Sequence, residues 1–191
     1  MKIKKIGLLI LTLILFSCEE KSEPVLEVDD VVLKVHYYYN FDIENSDIIT
    51  VKQRNLVKIL LNKKGECLIE GKMVEDSLIV SELKKYLVPN PDNDDMPETV
   101  ERDFEFSGKV LMNKNVMISG RFDDKLYLKR YVNIRDKIYT AYSEVRNSFA
   151  KEKFNKTLTE LMDSGEEDDR LIVEEIKEIF PFRYVESKLS L

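Results

Sequence analysis

Residues 55–74 read NLVKILLNKKGECLIEGKMV. The apolar run from Val57 to Leu61 meets four polar residues, Asn62 to Gly65, and Cys67 to Ile69 then resumes an apolar strand pattern. Gly65 can adopt the positive φ that a tight turn needs, so the stretch predicts two antiparallel strands and a hairpin turn, with Gly71 breaking the second strand. Downstream, Asp76 or Ser77 is placed to cap a helix whose buried stripe is Ile79, Leu83, Tyr86 and Leu87, at spacings of three and four residues, ended by Pro89. A hairpin feeding a one-sided helix calls for further strands to complete a sheet and further helices to cover it.

The rest of the chain supplies them. Val31 to Tyr39 alternates, with Val31, Leu33, Val35, Tyr37 and Tyr39 on one side and Val32, Lys34, His36 and Tyr38 on the other, as in a half-buried strand. Residues 89–105 read PNPDNDDMPETVERDFE, and three prolines among acids predict an acidic loop over 90–105. Val110 to Met112 and Val116 to Ile118 have the composition of short strands, with Gly120 closing the second. The longest periodic pattern follows. Tyr131, Ile134, Ile138, Tyr142, Val145 and Phe149 recur every three or four residues, while Lys129, Arg135, Asp136, Glu144 and Lys151 take the outside. A last helix starts at a capping box of Ser164 and Glu167 and runs through Leu171, Ile172, Glu175 and Ile179 to Pro181. FRYVES, residues 182–187, forms a closing strand. The expected fold is α+β: a mixed sheet with two or three helices packed on one face.

The N-terminus carries an address. Ile6 to Phe16 is apolar except for Gly7 and Thr12, about half the roughly 20 residues that span a bilayer core. Lys2, Lys4 and Lys5 precede it and Leu15-Phe16-Ser17-Cys18 ends it, the pattern of a secretory signal over 1–17. The ending resembles a bacterial lipoprotein signal, which implies a lipid on Cys18 and cleavage before it; several acyl chains on one residue hold a protein to a membrane without a span. Glu19, Glu20 and Glu23 resemble the export tag of some surface lipoproteins. Residues 18–50 are then a tether with a leading strand, and 51–191 the folded domain.

Charge and residue type narrow the function. Removing Lys2, Lys4 and Lys5 takes the net charge from −6 to −9, unsuited to nucleic acid, which needs a basic stripe to displace counterions. No run of Lys and Arg marks a membrane-surface patch. With Cys18 lipidated, Cys67 has no disulfide partner; its apolar strand neighbours mark a core residue rather than a nucleophile. His36 has no second His or paired Cys to complete a metal site. Asp92, Asp94 and Asp95 lack the glycine and distal Glu of a calcium loop. There is no phosphate loop, His-Glu signature or Ser or Cys beside a paired base, so no catalytic, cofactor or metal residue is assigned. A hydrolase using two of the 36 acids is a third reading, behind protein binding and small-ligand binding by a surface lipoprotein.

The segments LLNKKGECLIEGKMV, VSELKKYL, YVNIRDKIYTAYSEVRNSFAKEKF at 131–154, and the ending with Ile179, Pro181, Arg183, Val185, Glu186 and Ser187 occur in an order that resembles the periplasmic domain of ExbD/TolR biopolymer-transport proteins of the Bacteroidetes type. The resemblance covers residues 51–187. It implies a dimerising envelope module that engages TonB-, ExbB- or ExbD-like partners, with no catalytic residue of its own. The family's proton-linked work depends on an aspartate in a transmembrane helix. This chain has no acid between Met1 and Phe16, so the resemblance implies binding in a TonB/Tol-type transport system without proton conduction.

Overall fold

A computed structural model describes residues 25–28, 31–34, 51–123 and 125–189. The signal at 1–17, Cys18, His36 and the strand positions beyond Lys34 lie outside the described residues. Strands β1 (Val25–Val28) and β2 (Val31–Lys34) pair antiparallel as a two-stranded sheet of their own.

The hairpin expected after Asn55 is the start of a larger sheet. β3 (Leu56–Leu61) pairs antiparallel with β4 (Cys67–Ile69), Leu61 opposite Cys67. Gly65 takes φ +79° in the turn, and Asn62 Oδ1 accepts the N–H groups of Lys64 and Glu66. Gly71, at φ +75°, does not end the structure. It turns the chain into β5 (Lys72–Val74), a third meander strand that the sequence pattern did not predict. On the other side of β3 lies β8 (Met117–Asp123), and beyond it β9 (Tyr184–Leu189), both parallel to β3. The five-stranded order is β5-β4-β3-β8-β9, a mixed sheet in an α+β fold.

Strand alternation gives the sheet two different faces. Val57, Ile59, Leu61, Cys67, Ile69, Ile118 and Phe122 are buried in one large core with all four described helices: α1 (Ile79–Leu87), α2 (Leu128–Phe154), α3 (Leu158–Asp163) and α4 (Glu167–Ile179). Leu56 and Met117 on the other face form a small cluster with Val51 and the half-buried Val185. The predicted stripe of α2 is present, with Ile134, Ile138, Tyr142 and Val145 buried and Tyr131 and Phe149 half-buried.

Several local expectations are corrected. The acidic loop is shorter than 90–105, because Thr99–Phe104 forms β6, paired antiparallel with β7 (Gly108–Asn113). Val100 and Phe104 pack on the core while Glu101 and Asp103 point to solvent, an alternation hidden by the acids around it. Neither Asp76 nor Ser77 caps α1: a 3-10 turn over Asp76–Leu78 precedes it, and Asp76 ion-pairs with Arg130 of α2. The capping box belongs to Thr157 and Glu160 of α3, whereas Ser164 Oγ donates to Leu161 O and Glu167 pairs with Arg170. Glu175 is buried and accepts the N–H groups of Phe106 (3.0 Å) and Ser107 (2.8 Å), holding the β6–β7 turn against α4. Gly120 lies in the middle of β8, not at its close.

Cys67 is buried beside Ile69, and desolvation pushes its thiol up to about 11, partly opposed by the charge of Arg130. The thiolate is the reactive form, so iodoacetamide at pH 8 should leave folded protein unlabelled at Cys67 and label it fully in urea. Labelling at equal rates in both states would show an exposed, reactive thiol.

Candidate functional site: the open edge of β9

The outer edge of β9 is the end of the five-stranded sheet, and no strand pairs with it among the described residues. Ile118 N–H donates to Arg183 C=O at 3.0 Å, and Ile118 lies opposite Tyr184. In a parallel ladder this phase turns residues 183, 185, 187 and 189 toward β8. Tyr184, Glu186 and Lys188 therefore direct their N–H and C=O groups away from the sheet. Such a row is a template for another strand unless it is blunted by charge, a bulge or a cover.

The one acid on this edge with a described side chain is neutralised from α2. Glu186 Oε2 accepts the Tyr131 hydroxyl at 2.6 Å, and Glu186 Oε1 lies 3.1 Å from Arg135 Nε. Arg135 Nη1 also donates to the Tyr131 hydroxyl at 3.3 Å, and its guanidinium carbon sits 5.5 Å from the Tyr131 ring centre. These groups come together because Tyr131 and Arg135 are four residues apart on one helix face, while Tyr184 and Glu186 alternate onto the same face of the sheet. Gly120 makes room: a Cβ there would lie 2.8 Å from both the Tyr184 hydroxyl and the Phe122 ring.

Beside this network runs an apolar stripe. Leu128, Val132 and Tyr139 follow at spacings of four and seven residues, with Arg135 of the network between the last two, on the side of α2 that reaches β9. Leu128 is 73% exposed, Val132 53% and Tyr139 48%. Tyr139 stacks on Phe182 at 4.6 Å between ring centres, 6° from parallel, and Phe182 meets Tyr142 and Tyr184 edge-on. Arg146 Nε and Nη2 donate to Phe180 C=O at 3.0 and 2.6 Å, fixing the segment that leads into β9.

Burial disfavours ionisation of the tyrosines in this region and raises their pKa. Tyr131 is pushed up to about 12, by desolvation first and then by its bond to Glu186, and Tyr142 up to about 12 by desolvation. Tyr184 is raised further by burial and by the charge of Glu186. A tyrosine whose folded pKa lies above its unfolded value favours the fold while neutral. That contribution is complete below the unfolded value of about 10 and is lost as pH rises through the folded values. Stability should thus fall steeply between pH 10 and 12. Tyrosinate absorbance should show these residues ionising only as the protein unfolds, and a smooth titration of every tyrosine near pH 10 would contradict the packing.

Of the candidates read from the sequence, Cys67 lies in the core, away from this edge. Asp92, Asp94 and Asp95 are exposed on the loop before β6, with Asp94 at 4.0 Å from Arg54. Arg183, Val185 and Glu186, noted in the closing segment, do lie at the edge. Arg135 was expected simply on the outside of its helix; its spacing from Tyr131 was the available signal for a shared partner. The chain matches no family model, no curated protein and no solved structure.

Proposed function

We propose that this protein is a non-enzymatic, lipid-anchored envelope protein that works by accepting an extended segment of a partner along β9. The single observation that carries the reading is the outward row of main-chain groups at Tyr184, Glu186 and Lys188 beside the exposed stripe Leu128, Val132 and Tyr139. Main-chain pairing supplies affinity in such recognition, and pockets for alternate side chains supply selectivity. A partner strand with apolar residues at alternate positions would lay them against α2.

The resemblance to ExbD/TolR periplasmic domains supplies the partner class: TonB-, ExbB- or ExbD-like envelope proteins, with a second copy of this chain as a further candidate. The sequence reading supplies the anchor at Cys18. Two experiments separate these parts. Metabolic labelling with a fatty acid should mark the native protein and not Cys18→Ala; an unlabelled, uncleaved native product overturns the anchor. A photo-crosslinker at Val132 should capture an envelope partner of the stated class in cells. Capture that persists unchanged in Leu128→Ser, or no capture at all, overturns the docking surface.

A further inference from the structure

The ribbon β1–β2 precedes the domain, and its register sorts its residues by face. Leu26 lies opposite Leu33 and Val28 opposite Val31, so strand alternation puts these four on one face. The other face holds Val25, Glu27, Val32 and Lys34. A two-stranded ribbon alone is marginal in water, and one with a wholly apolar face needs a surface to bury it. The five-stranded sheet has such a surface on the side turned away from the helices. Leu60, Leu68 and Met73 stand directly opposite one another across β3, β4 and β5. Leu60 and Leu68 are half-buried, and Met73 is 70% exposed. Lys58 and Arg121, both exposed, flank this row.

We infer that the ribbon β1–β2 docks by its Leu26, Val28, Val31 and Leu33 face on the Leu60–Leu68–Met73 row of the same chain. Val51, where the described domain begins, is 1% exposed and packs with Leu56, Met117 and Val185 on this side of the sheet, so the chain arrives at the face to be covered. Sixteen residues separate Lys34 from Val51, a reach of up to about 55 Å, against a sheet roughly 24 Å wide. The connection between the two strands is Asp29-Asp30, opposite in charge to Lys58 and Arg121. A second copy of the sheet fits less well. The face measures roughly 250–450 Å², below the roughly 800 Å² per partner of a stable interface, whereas a tethered ribbon binds at the effective concentration set by its linker. Docking also sets reach. Cys18 is seven residues from the ribbon and thirty-three from Val51, about 25 Å and about 115 Å of extended chain. The docked ribbon therefore holds the domain close to Cys18, and its release lets the β9 edge travel. That consequence rests on the proposed anchor; the docking itself does not.

The test places a nitroxide on Met73→Cys in the full chain in mild detergent, with Cys18→Ala so that no anchor enters the measurement and with buried Cys67 left unlabelled. The amide signals of Val25–Val28 and Val31–Lys34 should lose more than half their intensity to the label. The loss should persist when the labelled, isotope-enriched chain is diluted into excess unlabelled chain, as a contact within one molecule requires. Leu33→Asp on the ribbon and Leu68→Asp on the sheet should each restore the signals, with unchanged amide shifts at Ile118 and Ile138 as the check on the core. Ribbon signals untouched by the label, or broadening that survives both substitutions, would overturn the inference. Broadening that disappears on dilution would assign the face to a second copy and overturn it equally.

Discussion

Replacing Ile138 with alanine lowers stability by about 2–5 kcal/mol and the melting temperature by roughly 6–15 °C. Ile138 is fully buried at the centre of the α2 stripe, within the cluster that joins the sheet to every described helix. Removing three carbons there loses their transfer free energy and leaves a cavity that neighbours on a sheet and a long helix cannot close. Val132→Ala, on the same helix but 53% exposed, should change stability by less than about 0.5 kcal/mol. The contrast can be read by urea denaturation of both variants. Equal effects would mean that α2 does not present its Ile134–Ile138–Val145 side to the sheet.

Gly120→Val has the next largest expected effect, about 1–3 kcal/mol or more, and it is local. The added Cβ alone would sit 2.8 Å from the Phe122 ring and the Tyr184 hydroxyl, and valine adds two methyl groups. Phe122 is held in the core, so the strain is relieved by moving Tyr184 and with it β9. Hydrogen exchange should show lost protection at Val185 and Ser187, whose N–H groups face β8, while the β4–β5 pairing stays protected. A uniform loss across the sheet would mean that β9 is not a separable edge. No loss would mean that the Tyr184 ring does not cover Gly120.

The elements written in local periodicity were legible in the sequence: Val57 to Leu61 and Cys67 to Ile69 as a hairpin, and Tyr131 to Phe149 as a one-sided helix. Elements that depend on distant partners were not. Thr99–Phe104 reads as an acidic loop because its strand character comes from pairing with Gly108–Asn113. Gly120 reads as a stop because the reason for a glycine is a tyrosine 64 residues away. Thr157-Leu-Thr-Glu and Ser164-Gly-Glu-Glu both fit a capping box; Gly165, at φ +74°, lies outside helical φ and rules out the second. The open edge of β9 was illegible for the same cause. Which strand ends a sheet is fixed by the long-range pairing of Ile118 with Tyr184, and only that pairing tells which main-chain groups face out.

The outward groups of β9 can be removed one at a time. Lys188 directs its N–H outward, so Lys188→Pro deletes one edge donor without removing a bond to β8, a place where sheets tolerate proline. The measurement is the yield of Val132 photo-crosslinks to the envelope partner, in native and Lys188→Pro chains of equal melting temperature. Strand addition along β9 predicts a loss of most of the cross-linked product in the proline variant. An undiminished yield with the fold intact would show that the partner does not pair with this edge.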